Sequence, residues 1–235
     1  MKYNFLWNGT DSRTKGIRLQ EMPQIIRPEE RVSHVVIPGR AGDVTMTEGD
    51  DIYEPYIQTI PLIVDNASDV HAAETWLRGN GNVTFSCQPD REQVARVINA
   101  VQFRKHSRNS SWYEGEVQFY CQPLKSSRET EEVTITSSGT LVNNPGDVVA
   151  KPLIVVVASG TVTIQIGGRT IMLEGMGYGD PWKIDSSLEW VMDRNDNPLM
   201  GVWSGQFPRM VQGNNTVLFT GDVSYLVLYP RSRYI

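Results

Sequence analysis

Four acidic residues close together in the first quarter of the sequence are of the type that hydrolyses glycosidic bonds. A glycosidase needs two carboxyl groups held at a set separation across a cleft, one as acid and one as base or nucleophile. Spacing along a chain fixes neither a cleft nor a separation, so we interpret this segment as a solvated acidic loop. The four residues are Glu48, Asp50, Asp51 and Glu54.

Metal-ligand patterns are weak in this sequence. The segment Asp193–Asn197 imitates the first three ligand positions of an EF-hand loop, but Pro198 takes the glycine position and Ser204 takes the place of the bidentate glutamate. We therefore predict a hairpin turn between the strands that carry Trp190 and Trp203. The histidines are far apart, form no metal-type pair, and are interpreted as ordinary surface or hydrogen-bonded residues: His34, His71 and His106.

Three tryptophans in the second half could stack on sugar rings, because aromatic faces suit such ligands. Strand tryptophans are more often core residues, so we predict core positions for Trp182, Trp190 and Trp203 and keep a carbohydrate-binding module as the alternative function. The glycines of Gly175–Gly179 do not fit the dinucleotide-binding pattern and predict a flexible turn. No nucleophile, base and orienting group occur together. We assign no catalytic, cofactor-binding or metal-binding residue and expect no enzymatic activity and no cofactor.

Composition sets limits on the possible partners. The 235 residues suit one large or two small domains, and a net charge of -5 does not imply the basic face of a nucleic-acid reader. The apolar run Leu153–Ala158 is six residues long, against the roughly 20 that span a bilayer. The first residues lack the apolar core of a signal peptide, so we expect synthesis in a cytoplasm, no membrane insertion, and buried reduced thiols at Cys87 and Cys121.

The first part of the chain predicts strands around one helix. The residues after Val64 have helical apolar spacing, with Ser68 as the predicted N-cap and Gly79 as the stop. Residues 90–99 fit either a second helix or a strand, and we favour the strand. The apolar stripe of the predicted helix comprises Val70, Ala73, Trp76 and Leu77.

Further strands are indicated by β-branched and aromatic residues. Phe5 and Trp7 begin a strand that turns at Asn8-Gly9, and residues 32–37 form an apolar strand that leads into the hairpin tip 38–42. The two cysteines lie in matching contexts, each preceded by valine and phenylalanine on one face and followed by proline. We therefore predict that their strands are neighbours in one sheet.

The second part reads as a β-sandwich or jelly roll. The polar segment 126–132 predicts a linker or an exposed turn, and a domain boundary placed there gives a domain of residues 1–128 and a domain of residues 129–235. Ser159-Gly160 predicts a tight turn between two strands. The predicted strands are 133–136, 153–158, 161–166, 170–173, 182–184, 189–192, 216–220 and 225–229.

Taken in order, these features resemble the distal tail protein family of long-tailed bacteriophages (siphophages). The likeness extends over nearly the whole chain, although the C-terminal segment 230–235 lacks the tryptophan expected there. The matching features are the aromatic first strand with Asn8-Gly9, the loop Ile37–Gly42, the helix end Trp76–Gly79, the two Phe-x-Cys-x-Pro strand ends, the passage from Asn144 to Gly160, and the segments Gly205–Pro208 and Gly213–Asn215.

The resemblance implies a structural protein of the virion tail tip, a hexameric hub that joins the tail tube to the tip or baseplate. Its partners would be further copies of the chain, the tail tube protein and a tail-tip protein, with DNA passing through the channel without specific binding. Residues 1–128 would form the ring, and residues 129–235 a galectin-like sandwich that projects outward. We further hypothesise that acidic residues of the first domain line the channel.

Overall fold

The computed structural model describes residues 3–47, 49, 51–129 and 131–235. The chain divides into two compact units, one that extends to Arg128 and includes Ile235, and one that comprises Glu129–Tyr234. Strands make up most of the regular structure, and the predicted mainly-β class is confirmed. Within the described ranges, no helix is long and apolar enough to cross a membrane.

The first unit is built on one antiparallel sheet. The elements are β1 (Phe5–Trp7), β2 (Thr10–Asp11), a 3-10 helix (Ser12–Lys15), β3 (Ile17–Leu19), β4 (Val32–Val36), β5 (Asp43–Thr47), β6 (Tyr56–Val64), α1 (Ala67–Trp76), β7 (Asn80–Phe85), β8 (Arg91–Val97), β9 (Phe103–Lys105) and β10 (Tyr113–Ser127). The strand order of the sheet is β2-β1-β7-β8-β10-β6-β3, with β9 paired to the start of β10, while β4 and β5 form a separate hairpin.

An aromatic cluster fills the core of this unit between the sheet and α1. Phe119 is fully buried, and its ring centroid lies 5.5 Å from that of Phe5 and 5.2 Å from that of Trp7. Phe5 also stacks on Trp76 of the helix, with 5.7 Å between centroids. Such aromatic contacts add to the free energy gained from burial. The helix therefore covers one face of the sheet, which we call the inner face.

The helix itself differs from the sequence prediction at its start. Asn66, whose backbone is extended, is the N-cap, and Ser68 lies inside the first turn with its hydroxyl directed to Asp69. The prediction of Ser68 as the cap is wrong, because the backbone turns helical already at Ala67, and Asn66 is also a residue type that favours the N-cap position. The predicted apolar stripe is confirmed, since Ala73 and Leu77 are buried and Val70 and Trp76 pack against the core.

The remaining strands of the first unit agree with one sequence prediction and differ from two. Residues 91–97 form a strand, as favoured. The two cysteine-bearing segments share one sheet but are not neighbours, because β8 lies between β7 and β10. The polar segment 126–132 is not wholly a linker, since β10 continues to Ser127. Its ladder with β8 resumes at Lys125 after a register shift, so polar residues there are paired strand residues.

The second unit is a sandwich whose two layers share long strands. Its strands are β11 (Val133–Ile135), β12 (Thr140–Asn144), β13 (Leu153–Ile166), β14 (Arg169–Met176), β15 (Pro181–Asp185), β16 (Trp190–Met192), β17 (Trp203–Gly205) and β18 (Gly213–Tyr229). The path β11-β18-β13-β14-β17 is joined by β12 on β18, by β15 on β13 and by β16 on β15. A short strand β19 (Arg233–Tyr234) follows and does not belong to the sandwich.

The long strands β13 and β18 replace two predicted pairs of short strands. The tight turn predicted at Ser159-Gly160 is wrong: the ladder between β13 and β18 is shifted there by β-bulges and then continues. Gly160 has φ 75°, which suits a bulge as well as a turn. The first half of β13 pairs with β15 and the second half with β14, so one strand serves both layers. A single aliphatic core joins the two layers.

Candidate assembly surfaces

A hairpin of the first unit stands away from its core. We call residues 29–54 the arm. At its base Glu30 pairs with Tyr53, which is buried, and the Arg31 Nε donates to Glu54 Oε1 at 2.7 Å. Beyond the base every residue of β4 and β5 is exposed except Val44, which is half-buried. The strand predicted at 32–37 and the tip predicted at 38–42 are thus confirmed, but the apolar strand is not part of a core.

The arm has apolar side chains on both of its faces. The register pairs Val32 with Thr47, His34 with Thr45 and Val36 with Asp43 on one face, which we call the valine face. Val36 is 72% exposed. The opposite face carries Ser33, Val35, Val44 and Met46. Two-stranded hairpins are marginally stable alone in water, and exposed apolar surface of this kind is typical of a contact with another molecule.

The sheet of the first unit presents a second exposed apolar surface on the side opposite the helix. We call it the outer face. Tyr120 of β10 pairs with Ile57 of β6 on one side and with Arg96 of β8 on the other, so these three side chains form one row. Val94 and Ile98 flank Arg96 on the same side of β8, and they are 56% and 45% exposed. A cation therefore lies among four exposed apolar side chains.

The acidic residues considered for hydrolysis belong to the arm and its base. Glu48 and Asp50 lie outside the described residues. Glu54 is exposed and bound by Arg31, and Asp51 is an exposed turn residue with φ 58°. Among the described residues of this segment, the carboxylates thus hold the base of a hairpin or face solvent rather than line a cleft.

The three histidines lie apart on exposed surface. His34 lies on β4 beside the Thr45 hydroxyl, at 3.3 Å, and His71 lies on α1. His106 stacks on Trp112 with 3.9 Å between ring centroids, and its Nδ1 is 2.9 Å from Glu114 Oε1. Across the described ranges, no three histidine, cysteine or acidic side chains converge as a metal site would require.

The segment that imitates an EF-hand forms a hairpin turn, but not between the strands of Trp190 and Trp203 as predicted. The chain pairs back on β16 through the bridge between Met192 and Pro198, whereas β17 pairs with β14. The Asp193 carboxylate accepts the backbone N–H of Asn195 at 2.8 Å and that of Asn197 at 2.9 Å. The Asn197 side-chain amide also donates to it, and these hydrogen bonds lower the pKa of Asp193. The carboxylate therefore closes a turn with its own backbone. The glycine-rich segment 175–179 is only partly the predicted turn: Gly175 still belongs to β14, and the turn before β15 is at Tyr178 and Gly179.

The second unit holds two of its three candidate tryptophans in or against the core. Trp182 is buried, and Trp203 makes an edge contact with Phe207 at a centroid distance of 4.6 Å. Trp190 departs from the prediction, since it is 52% exposed. The Leu199 N–H donates to Val191 O across the same hairpin, which places the exposed Met200 opposite Trp190.

The two cysteines are free thiols in different environments. Cys121 is fully buried in the first core, and burial raises the pKa of its thiol to about 12. Cys87 is only half-buried, which contradicts the expectation of two buried thiols, and burial raises its pKa as well. Tyr56, whose hydroxyl donates to Gln93 Oε1 at 2.9 Å, has its pKa raised to about 12, mainly by burial. These groups contribute to the core.

Comparison with solved structures identifies the fold. The chain matches the crystal structure of the SPP1 Dit (gp 19.1) protein, described as a paradigm of hub adsorption apparatus in phages that infect Gram-positive bacteria. The TM-score is 0.77 with 19% identity, and the match covers 100% of both chains. The phage p2 baseplate in its activated conformation matches over 97% of both chains, with a TM-score of 0.44 and 6% identity. By sequence, the chain matches no family model and no curated protein.

The predicted resemblance to distal tail proteins is therefore confirmed at the level of the fold. Sequence reasoning missed the outer face of the first sheet. One signal was present in β8 and the residue after it, where apolar side chains occur on both sides of the strand. Ala95 and Val97 lie on the inner side, and Val94 and Ile98 lie on the outer side. A strand with one solvated face alternates apolar and polar residues, so this departure indicates a second contact.

Proposed function

We propose that this protein is the hub of a phage tail, a hexameric ring that joins the tail tube to the tip or baseplate. The observation that carries the proposal is the likeness of the entire chain, both units together, to the SPP1 Dit protein. Residues 1–128 form the ring, and residues 129–235 form a galectin-like sandwich. The neighbours are the tail tube protein above and a tail-tip protein below, and the protein resides in the virion without membrane insertion.

Ring assembly requires two different adhesive surfaces on each subunit. A heterologous contact generates a closed ring when its rotation closes, and it joins one patch of a subunit to a different patch of the next. The first unit offers two such patches, the exposed arm and the apolar outer face of its sheet. The second unit buries its aliphatic core within its own sandwich. The second unit also exposes apolar side chains, among them Tyr178 and Met200. What supports assembly through residues 1–128 is that their two patches differ in kind, a hairpin and a sheet face, as a heterologous contact requires.

Charge supports a channel that lets DNA pass. Residues 1–128 contain 15 basic and 16 acidic side chains, a net charge of -1, so the ring-forming part has no positive excess to neutralise phosphates. Seven of those acids lie between Glu29 and Glu54. We retain the proposal that acidic residues of this unit contribute to the channel lining. A ring whose channel is strongly basic, or one that retains duplex DNA at physiological salt, would contradict it.

No enzymatic role is proposed. The residues considered for chemistry make structural contacts instead: Asp193 closes a turn, Glu54 pairs with Arg31, and the Cys121 thiol is buried. The fold neighbour is named as a hub of an adsorption apparatus, which is a structural assignment for that protein.

The oligomeric state of the purified full-length chain tests the proposal. Native mass spectrometry should give a particle of six 26.4 kDa subunits, and negative-stain electron microscopy should show a ring with an open centre. Antibodies against the chain should label the end of the tail in intact virions. A monomer at every concentration together with unlabelled tails would refute the proposed function.

Saccharide binding by the second unit is the second candidate function. Trp190 and Met200 are exposed on one hairpin, and a separate shallow groove of about 280 Å³ is lined only by uncharged residues. Binding of the full-length chain to a glycan array, abolished by Trp190→Ala but not by Trp203→Phe, would favour this function. The groove residues are Gln165, Gly167, Gly168, Val211, Asn214, Asn215, Thr216 and Leu218.

A further inference from the structure

The arm and the rest of the first unit carry opposite charge. Residues 29–54 contain seven acidic residues and two arginines, a net charge of -5. The remainder of residues 1–128 contains 13 basic and nine acidic residues, a net charge of +4. The described residues of β4 and β5 are exposed apart from the half-buried Val44, so the core of the same copy does not cover Asp43. A second copy offers each surface its complement.

The valine face of the arm combines apolar side chains with one acidic group. Val36 is the cross-strand neighbour of Asp43, and Val32 lies on the same face beyond His34. Asp43 forms no ion pair with any described residue. On this face of the hairpin, the described residues therefore present one unneutralised carboxylate beside exposed apolar groups.

The outer face of the sheet shows the inverse arrangement. Arg96 is exposed in the row Ile57–Tyr120–Arg96 and is flanked by Val94 of its own strand and by Ile98 directly after that strand. Within the described ranges the guanidinium of Arg96 has no carboxylate partner. It is thus a single unneutralised cation among apolar side chains.

We infer that the arm of one copy docks with its valine face on the outer face of the next copy, with Asp43 paired to Arg96. This inference rests on the proposed ring, because it names the two surfaces that join successive subunits. The contact is heterologous, as a closed ring requires. Apolar burial supplies the main driving force, and the ion pair fixes the register.

Docking also explains the charge distribution. The arm has a net charge of -5 and the remainder of residues 1–128 has a net charge of +4, so the arm of one copy is attracted to the body of the next. Docking further supplies the arm with the second layer of packing that an isolated two-stranded hairpin lacks. One contact therefore accounts for the exposure of Val32 and Val36 and for the absence of ion pairs to Asp43 and Arg96 among the described residues.

Charge exchange in the full-length chain tests the pairing. Asp43→Arg alone opposes two cations across each interface, and Arg96→Asp alone opposes two anions. Like charges brought together at an interface weaken binding, so the affinity of each contact should fall about tenfold or more in each variant.

In an equimolar mixture, the substituted arm of the first variant meets the substituted outer face of the second. The unmodified arm of the second variant likewise meets the unmodified outer face of the first. Both contacts then join opposite charges, so the mixture should regain assembly.

The mass of the mixed particle gives the sharpest result. Only alternating copies satisfy every contact, so native mass spectrometry should find rings with three copies of each variant and few other compositions. Both positions are exposed, and the thermal unfolding of each variant should match that of the unmodified chain. The matched controls Arg194→Asp and Asp222→Arg change charge equally on exposed residues of the second unit and should assemble normally.

Three outcomes would count against the inference. If the unmodified chain forms rings and the single variants form them equally well, the pairing is wrong and the proposed ring stands. If the single variants fail and their mixture fails too, Asp43 and Arg96 are not partners. If the unmodified chain never associates at the highest concentration reached, the proposed ring fails and the inference fails with it.

Discussion

Two valine-rich strands of this protein end in opposite environments. In Val32–Val36 every residue is exposed, whereas in Leu153–Ala158 none is exposed and Ile154 and Val156 are fully buried. Their compositions favour strands equally, because β-branched residues suit a pleated surface. The second strand buries its apolar side chains inside its own sandwich, whereas the first strand leaves them exposed to solvent. The exposure of an apolar strand in a folded chain indicates that a partner molecule covers it.

The same contrast extends to the two units. The second unit has a closed aliphatic core that joins both layers of its sandwich. The first unit has an aromatic core on one side of its sheet, and it leaves the outer face and the arm exposed. Substitutions should therefore act on folding in one region and on association in the other.

The largest expected effect is on the folding of the second unit. Ile164 is fully buried between its cross-strand neighbours Ile171 and Phe219. Ile164→Ala removes buried methylenes and leaves a cavity, so it should lower the free energy of unfolding by about 2–5 kcal/mol. Denaturant unfolding measures the change. Val36→Ala on the arm is the control and should change the free energy of unfolding by less than about 0.5 kcal/mol. Equal losses in the two variants would show that the two strands do not differ in their contribution to folding.

A buried amide should have the next largest effect. The fully buried Asn144 donates from Nδ2 to Val148 O at 3.2 Å and to Met210 O at 3.1 Å, and its Oδ1 accepts the Gly146 N–H at 3.1 Å. Asn144→Ala removes all three hydrogen bonds and leaves the Val148 carbonyl and the Gly146 N–H without this partner, while Met210 O still accepts the Ala150 N–H. The substitution should cost about 1–3 kcal/mol in the free energy of unfolding. The exposed neighbour substitution Asn143→Ala should be nearly neutral, and similar values for both variants would contradict this role.

Alkaline pH should destabilise the first unit through its buried thiol. Burial raises the pKa of Cys121 from 9.0 to about 12, so the unfolded chain loses this proton first. The stabilising contribution is complete below pH 9 and declines as pH rises toward 12. Thermal unfolding followed from about pH 8 to about pH 11 should show a steeper decline for the unmodified chain than for Cys121→Ala. Parallel pH profiles would show that the thiol is not protected from ionisation.

The smallest expected effect is at the exposed tryptophan. Trp190 is half-exposed on its hairpin, so Trp190→Ala should lower the free energy of unfolding less than Trp182→Ala, which truncates a buried ring. Chemical denaturation of the two variants compares them directly. A larger loss at Trp190 would show that its ring is a core group after all.

Much of this architecture could be predicted from the sequence where local pattern and burial agree. The apolar stripe of α1, the hairpin at Asn8-Gly9 and most strand segments of the second unit follow from periodicity and turn chemistry. Two short strands, β12 and β17, are absent from the predicted set of strand ranges. The prediction failed at Ser159-Gly160 because a glycine with positive φ serves a bulge as readily as a turn. Only strand pairing distinguishes the two.

The candidate assembly surfaces were beyond sequence reasoning for a different physical reason. Val94 and Ile57 are chemically equivalent to core residues, and only the sheet order places them on the side without the helix. The pairing of Val36 with Asp43 likewise depends on the register of the arm. The predicted hexamer and channel came from the resemblance alone, and they remain proposals.

The most direct test of the central claim removes the arm. Replacing residues 33–46 by Asn-Gly joins Val32 to Thr47, which are already paired, through the type of turn that favours a two-residue hairpin. Light scattering coupled to size exclusion should give six copies for the full-length chain and one for the shortened chain. Association stabilises the folded state, so the unfolding midpoints are compared at dilutions at which both chains are monomeric, and there they should be equal. A shortened chain that still forms particles of six would contradict the account.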